Sequence, residues 1–213
     1  MPYIAWKTPL TMKWHRVAKF KQRAQLEKNP RLRAIPSLAG GACVGLSFVW
    51  LSRHLQFPAE SATGRCAFLS RGDTWLLIER HCSAFNTTLT LDNTRRIQIN
   101  LPNICGRSST SSIEARGREG LKTLVQHVKN TQPGYYIWLM DFECGGSGHM
   151  CAFHADSKHL RFFDANSGEY LIHADRASDF FKQLYTHYLN YLSGAGVRKE
   201  LKFDEHCLVQ MGT

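Results

Sequence analysis

The chain has 213 residues, 43% of them hydrophobic, with 12 Phe, 7 Tyr and 5 Trp. That suits one compact domain, with or without an extension; it is too short for two full-sized domains and too apolar for wholesale disorder. The net charge is +10, yet residues 1–33 hold nine Lys and Arg against Glu27 alone, leaving 18 basic and 16 acidic residues to the rest.

A basic arm on a nearly neutral body argues against nucleic acid as the partner. It reads first as a solvated extension or delivery segment, and otherwise as a docking segment for an anionic membrane surface or an acidic protein. No apolar run approaches the ~18–20 residues of a membrane helix, so the chain reads as soluble. The N-terminus lacks the apolar block and small-residue cleavage site of a secretory leader, so the expected export route is independent of a signal peptide.

In chain order, Lys13–Lys28 has helical periodicity, and Asn29-Pro30 stops it. We therefore expect residues 1–35 to be a basic N-terminal extension and 36–213 the main domain. A loop containing Pro36 and Gly40-Gly41 leads directly into Cys43. The run from Val44 to His54 is apolar on nearly every side and reads as a buried helix. Residues 57–113 resist assignment, and Ile113–Asn130 is a further helix candidate.

The last third is more legible. Tyr135–Phe142 reads as a strand, and His149–Ala155 with His159–Asp164 as a hairpin. Asn166-Ser167-Gly168 turns into a strand at Glu169–His173. Asp175–Leu192 follows as an amphipathic helix with Asp175 as its N-cap, and a final strand is expected over Arg198–Phe203. Helices first and an antiparallel sheet later make the fold class α+β.

Seven cysteines without a Cys-x-x-Cys spacing speak against a structural zinc site and for reduced thiols, most of them buried. Cys43 differs from the others because it opens a helix, where unpaired backbone N–H groups and the dipole favour a thiolate. In the hairpin, a turn centred between Asp156 and Ser157 places His149 opposite Asp164. A carboxylate could there hold the imidazole's tautomer and stabilise its cation. The same register puts Cys151, Phe153, Leu160 and Phe162 on that face, where a helix carrying Cys43 could pack. His154 and His159 fall as an opposed pair on the other face, which removes His154 from any metal cluster with Cys144, His149 and Cys151, so no metal is expected.

Three blocks carry a family resemblance: Gly41-Ala42-Cys43-Val44-Gly45-Leu46-Ser47, Gly148-His149-Met150-Cys151-Ala152, and Phe163-Asp164-Ala165-Asn166-Ser167-Gly168-Glu169-Tyr170. They resemble the signature blocks of the YopT/AvrPphB effector cysteine proteases, across roughly residues 36–175. The resemblance implies a papain-like catalytic domain and a Cys–His–Asp triad mapping onto Cys43, His149 and Asp164. It also implies a secreted bacterial effector or toxin that cuts a protein in a target cell without a cofactor. Ala165 departs from the proline that commonly follows the family's aspartate. For the oxyanion, the Cys43 amide needs a second donor, and Ser37, ahead of Gln25, is the nearest polar candidate.

Two other classes use the same residues or bypass them. A papain-like amidase, deamidase or transglutaminase, such as a peptidoglycan amidase aimed at rival bacteria, would keep the triad. A binding module acting through the basic arm would not need Cys43.

Overall fold

The computed structural model describes residues 10–38, 41–131, 133–142, 148–192, 198–200 and 203–211. The N-terminal part comprises α1 (Leu10–Lys13), β1 (Arg16–Lys19), α2 (Gln22–Lys28), α3 (Pro30–Arg33), α4 (Cys43–Gln56), α5 (Ala62–Leu69), α6 (Gly72–Asn86) and α7 (Asn93–Cys105). Then follow β2 (Ser109–Arg116), α8 (Gly117–Thr131), β3 (Gly134–Phe142), β4 (Gly148–Ala155), β5 (His159–Asp164) and β6 (Gly168–His173). The chain ends with α9 (Ala177–Leu189), β7 (Asn190–Leu192), β8 (Arg198–Glu200) and β9 (Phe203–Met211). No described helix is long and apolar enough to cross a membrane.

Seven strands form one antiparallel sheet in the order β1-β6-β5-β4-β3-β9-β2, and β7 pairs with β8 separately. Both faces of the sheet are covered. On one, Ile137, Leu139, Met150, Ala152, Phe163 and Val209 pack against α4 to α7. On the other, Tyr136, Trp138, Cys151, Phe153, Phe162 and Leu208 pack against α8 and α9. Two-sided burial explains why β3 is apolar at consecutive positions instead of alternating.

The N-terminal expectation changes most. The helix expected over Lys13–Lys28 is broken by β1, which pairs with β6 at the edge of the sheet. Ala18 and Phe20 point inward while Val17 and Lys19 are exposed, a period-2 pattern too short to stand out in sequence. Gly168 makes the pairing feasible: it sits at φ +121°, and a Cβ there would lie 2.1 Å from the Ala18 carbonyl oxygen. β1 is therefore paired into the sheet, and Phe20, Leu26 and Leu32 beside it are buried in the core.

Three corrections concern the C-terminal half. The expected helix over Asp175–Leu192 is Ala177–Leu189, preceded by a 3-10 turn, so Asp175 is not its N-cap but pairs with the His173 imidazole at 2.8 Å. The final strand runs over Phe203–Met211 and is inserted between β3 and β2 instead of ending near Phe203. Residues 57–113, without a reading in sequence, form α5, α6, α7 and the start of β2.

Candidate active site

The hairpin register decides where the imidazole and the carboxylate stand. Cys151, not His149, is directly opposite Asp164, so the ladder is shifted by two residues from the expected one. Two residues is one full period of a strand, so His149 stays on the face of Asp164 as its diagonal neighbour. His149 Nε2 donates to Asp164 Oδ1 at 2.9 Å, with the carboxylate fully buried and the histidine 5% exposed. The His154–His159 opposition is lost in the same shift: His154 faces Arg161, and His159 faces His173.

Asp164 is held from its own turn. The Asn166 backbone N–H donates to Oδ1 at 2.9 Å and Ser167 Oγ to Oδ2 at 2.5 Å. Burial alone would raise its pKa, but the bonds from His149, Ser167 and Asn166 outweigh burial and keep it below the usual carboxylate value. Tyr188 of α9 lies over the imidazole, with ring centroids 5.2 Å apart. That ring excludes water from the His–Asp bond and so strengthens it.

Cys43 arrives from the opposite layer. Its helix packs on the Met150, Ala152 and Phe163 face, and not on the face carrying His149 as expected. The reach is set by two pins: Ser47 Oγ donates to the Met150 carbonyl at 2.9 Å, and Trp50 Nε1 donates to Glu169 at 2.8 Å. The N-terminus of α4 then comes level with the start of β4, where the Cys43 pKa responds to hydrogen bonding from His149. Burial works against a thiolate, yet that bond, the imidazolium charge and the Met150 and Val44 amides lower the Cys43 pKa from 9.0. Burial also works against a cation on His149, but its pKa lies well above 6.5. Cys151, pushed up to about 12 by burial, is a neutral thiol at this position, so the Asp164 carboxylate is the charge that stabilises the imidazolium.

A family profile, Peptidase_C58, described as Yersinia/Haemophilus virulence surface antigen, matches residues 84–195. That is more than half of the chain. The chain belongs to this family. It is a cysteine peptidase of the YopT/AvrPphB type, a family of virulence effectors that act on host-cell proteins. The matched segment carries His149 and Asp164, while Cys43 lies upstream of it. Among solved structures, the crystal structure of the Pseudomonas avirulence protein AvrPphB is similar at 19% identity with a TM-score of 0.66, covering 95% of this chain and 100% of that one. At that identity the likeness establishes the fold. No curated protein sequence matches the chain.

Two features of this C58 peptidase's site escaped the sequence reading. Ser37 lies in a 3-10 turn and its Oγ donates to Glu79 of α6 at 3.1 Å. The polar side chain at the turn before Cys43 is instead Gln22, whose Oε1 accepts from the Ala42 amide at 2.7 Å. Gln25 lies about one turn further along the same helix. No sequence signal marked Gln22, because it stands 21 positions before Cys43 and only the folding of β1 onto the sheet brings it back.

The cysteine peptidase also gathers donor atoms of His149, Cys151 and Asp164 within 4.8 Å of one another. His149 and Asp164 are already committed to each other, and the Cys151 thiol resists the deprotonation a metal ligand requires. Cys66, Cys82 and Cys207 are buried thiols with pKa values raised to about 12, in contrast to Cys43. Cys144 lies outside the described residues.

Proposed function

We propose that this peptidase hydrolyses a peptide bond in a target-cell protein through Cys43, His149 and Asp164. The observation that carries the reading is the buried His149–Asp164 hydrogen bond at 2.9 Å, beside a Cys43 thiol whose pKa His149 helps to lower. The Cys43 thiolate attacks the scissile carbonyl, forming a C–S bond. The imidazolium then passes its proton to the leaving amine as the C–N bond breaks. Water, deprotonated by the neutral imidazole, releases the acyl group and restores the thiol. Asp164 stays ionised throughout, orienting the ring and stabilising its cation.

The helix start supplies the oxyanion donor. Ala42 N–H is bound to Gln22, Gly45 N–H to Cys82 Sγ at 3.3 Å, and the Val44 amide to the Cys43 sulfur. The Cys43 amide, at the first position of α4, is the backbone donor assigned to the developing oxyanion. The basic side chains exposed at Lys13, Lys19, Lys21, Lys28, Arg31 and Arg33 form the surface that would meet an anionic membrane or an acidic partner. Delivery into the target cell by a signal-peptide-independent route completes the reading.

The experiment is alkylation by iodoacetamide near neutral pH, followed by mass mapping of the modified thiols. Cys43 should react first, and His149→Ala should abolish that preference. Uniform slow labelling of several cysteines would overturn the assignment.

A further inference from the structure

Gln22 touches both halves of the site at once. It is nine-tenths buried at the first position of α2. Its side-chain Oε1 accepts from the Ala42 N–H at 2.7 Å, directly before the nucleophile. Its Nε2 donates to Asn166 Oδ1 at 2.6 Å, and its backbone N–H donates to the Ala165 carbonyl at 2.8 Å. Asn166 in turn donates its own backbone N–H to Asp164. The orientation of the amide is fixed by chemistry, since a backbone N–H can face only the oxygen end. The turn it meets is equally constrained: Gly41 has φ +116°, and a Cβ there would sit 3.6 Å from Gln22 Oε1.

The nucleophile and the acid come from segments about 120 residues apart, at the start of α4 and the end of β5. Besides the pins at Ser47 and Trp50, which act further down α4, the helix start itself needs a tie to the acid's turn. We infer that Gln22 is a positioning residue that clips the Ala42–Cys43 helix start to the Asp164–Asn166 turn and so sets the approach of the Cys43 sulfur to His149. With one end of the amide on Ala42 and the other on Asn166, Gln22 acts through these partners and not on the substrate. The inference rests on the proposed assignment of Cys43, His149 and Asp164.

The test compares Gln22→Leu, Asn166→Ala and the double variant in the full chain, with Asn166→Asp as the conservative control. Asn166→Ala cuts the clip from the turn side without leaving the Ala42 amide unpaired in the interior, so it stays informative if Gln22→Leu fails to fold. Two readouts are taken: kcat and KM on a peptide substrate, and the pH profile of Cys43 alkylation by iodoacetamide. A clip predicts a loss of about 10²-fold in kcat with KM little changed, the cost of a small misplacement of reacting groups. It also predicts an alkylation midpoint displaced upward toward 9, a double variant no worse than the worse single one, and near-normal behaviour of Asn166→Asp, which still accepts from Nε2. Unchanged kcat and alkylation midpoint in folded Asn166→Ala would overturn the clip, as would additive losses in the double variant. If Cys43 of the parent protein shows no preferential labelling, it is the triad assignment that fails, and the two failures are thereby told apart.

Discussion

Trp50 on α4 donates its indole N–H to Glu169 on β6, and the same carboxylate receives the Arg65 guanidinium of α5 in a fully buried pair. The helix that carries Cys43 therefore hangs from an acid on the strand that follows the Asp164 turn. Arg161 adds a further contact to Glu169 at 3.3 Å. Removing the acid strands a buried guanidinium, so Glu169→Leu should cost about 3–5 kcal/mol. Urea unfolding monitored by tryptophan fluorescence measures this. Pairing it with Arg65→Met should recover a large part of the loss.

Asp164→Asn keeps the shape of the turn but removes the charge and disturbs the imidazole tautomer. By analogy with the carboxylate of a serine triad, kcat should fall by on the order of 10³–10⁴-fold. Peptide hydrolysis measured beside a thermal melt separates this from unfolding, because the expected change in melting temperature is small next to the kinetic loss.

The pH dependence follows from the two shifted partners. The Cys43 pKa is lowered from 9.0 and that of His149 raised well above 6.5, so the thiolate–imidazolium pair exists between them. Activity should be bell-shaped, with its acid limb below 9.0 and its alkaline limb above 6.5. In His149→Ala only the Met150 and Val44 amides still oppose burial, and the alkylation midpoint of Cys43 should rise. Stopped alkylation across pH 5–10 tests both limbs.

Acid stability depends on other histidines. Burial lowers His54 to about 3, with the Arg65, His154 and Arg161 charges adding to it, and burial lowers His206 to about 4. Below pH ~6.5 the unfolded chain binds protons that the folded protein refuses, so stability falls as pH falls through that window. For His54 the loss by pH 3 is on the order of 4 kcal/mol. Neither ring nitrogen of His54 has a hydrogen-bond partner among the described residues, so His54→Leu sacrifices no such bond. Its acid-unfolding midpoint should move to lower pH in a far-ultraviolet titration.

Gly168→Ala should force β1 off the sheet, since its Cβ would meet the Ala18 carbonyl oxygen at 2.1 Å and the Phe20 nitrogen at 2.8 Å. A strained positive φ adds to the clash, for a cost of roughly 2 kcal/mol or more. Gln22 follows β1 directly, so kcat should fall as well. Hydrogen exchange localised to residues 16–28 would show where the damage lies.

The chain by itself marked the positions proposed to carry the chemistry. Cys43 is marked by the glycine-rich turn before an apolar helix, and His149 and Asp164 share a face because strand alternation has a period of two, which even the two-residue register error preserved. It determined equally that the last third is an antiparallel hairpin sheet, since β-rich runs separated by turn residues are local signals. Tertiary structure alone decided the rest. The short β1 forms because β6 offers an edge and Gly168 leaves room for it, and β9 is inserted between β3 and the edge strand β2 through partners about 70 and 95 positions away. Gln22, not Ser37, reaches the turn before Cys43 for the same reason: which side chain fills that place depends on where a distant segment packs, and no local periodicity encodes a long-range contact.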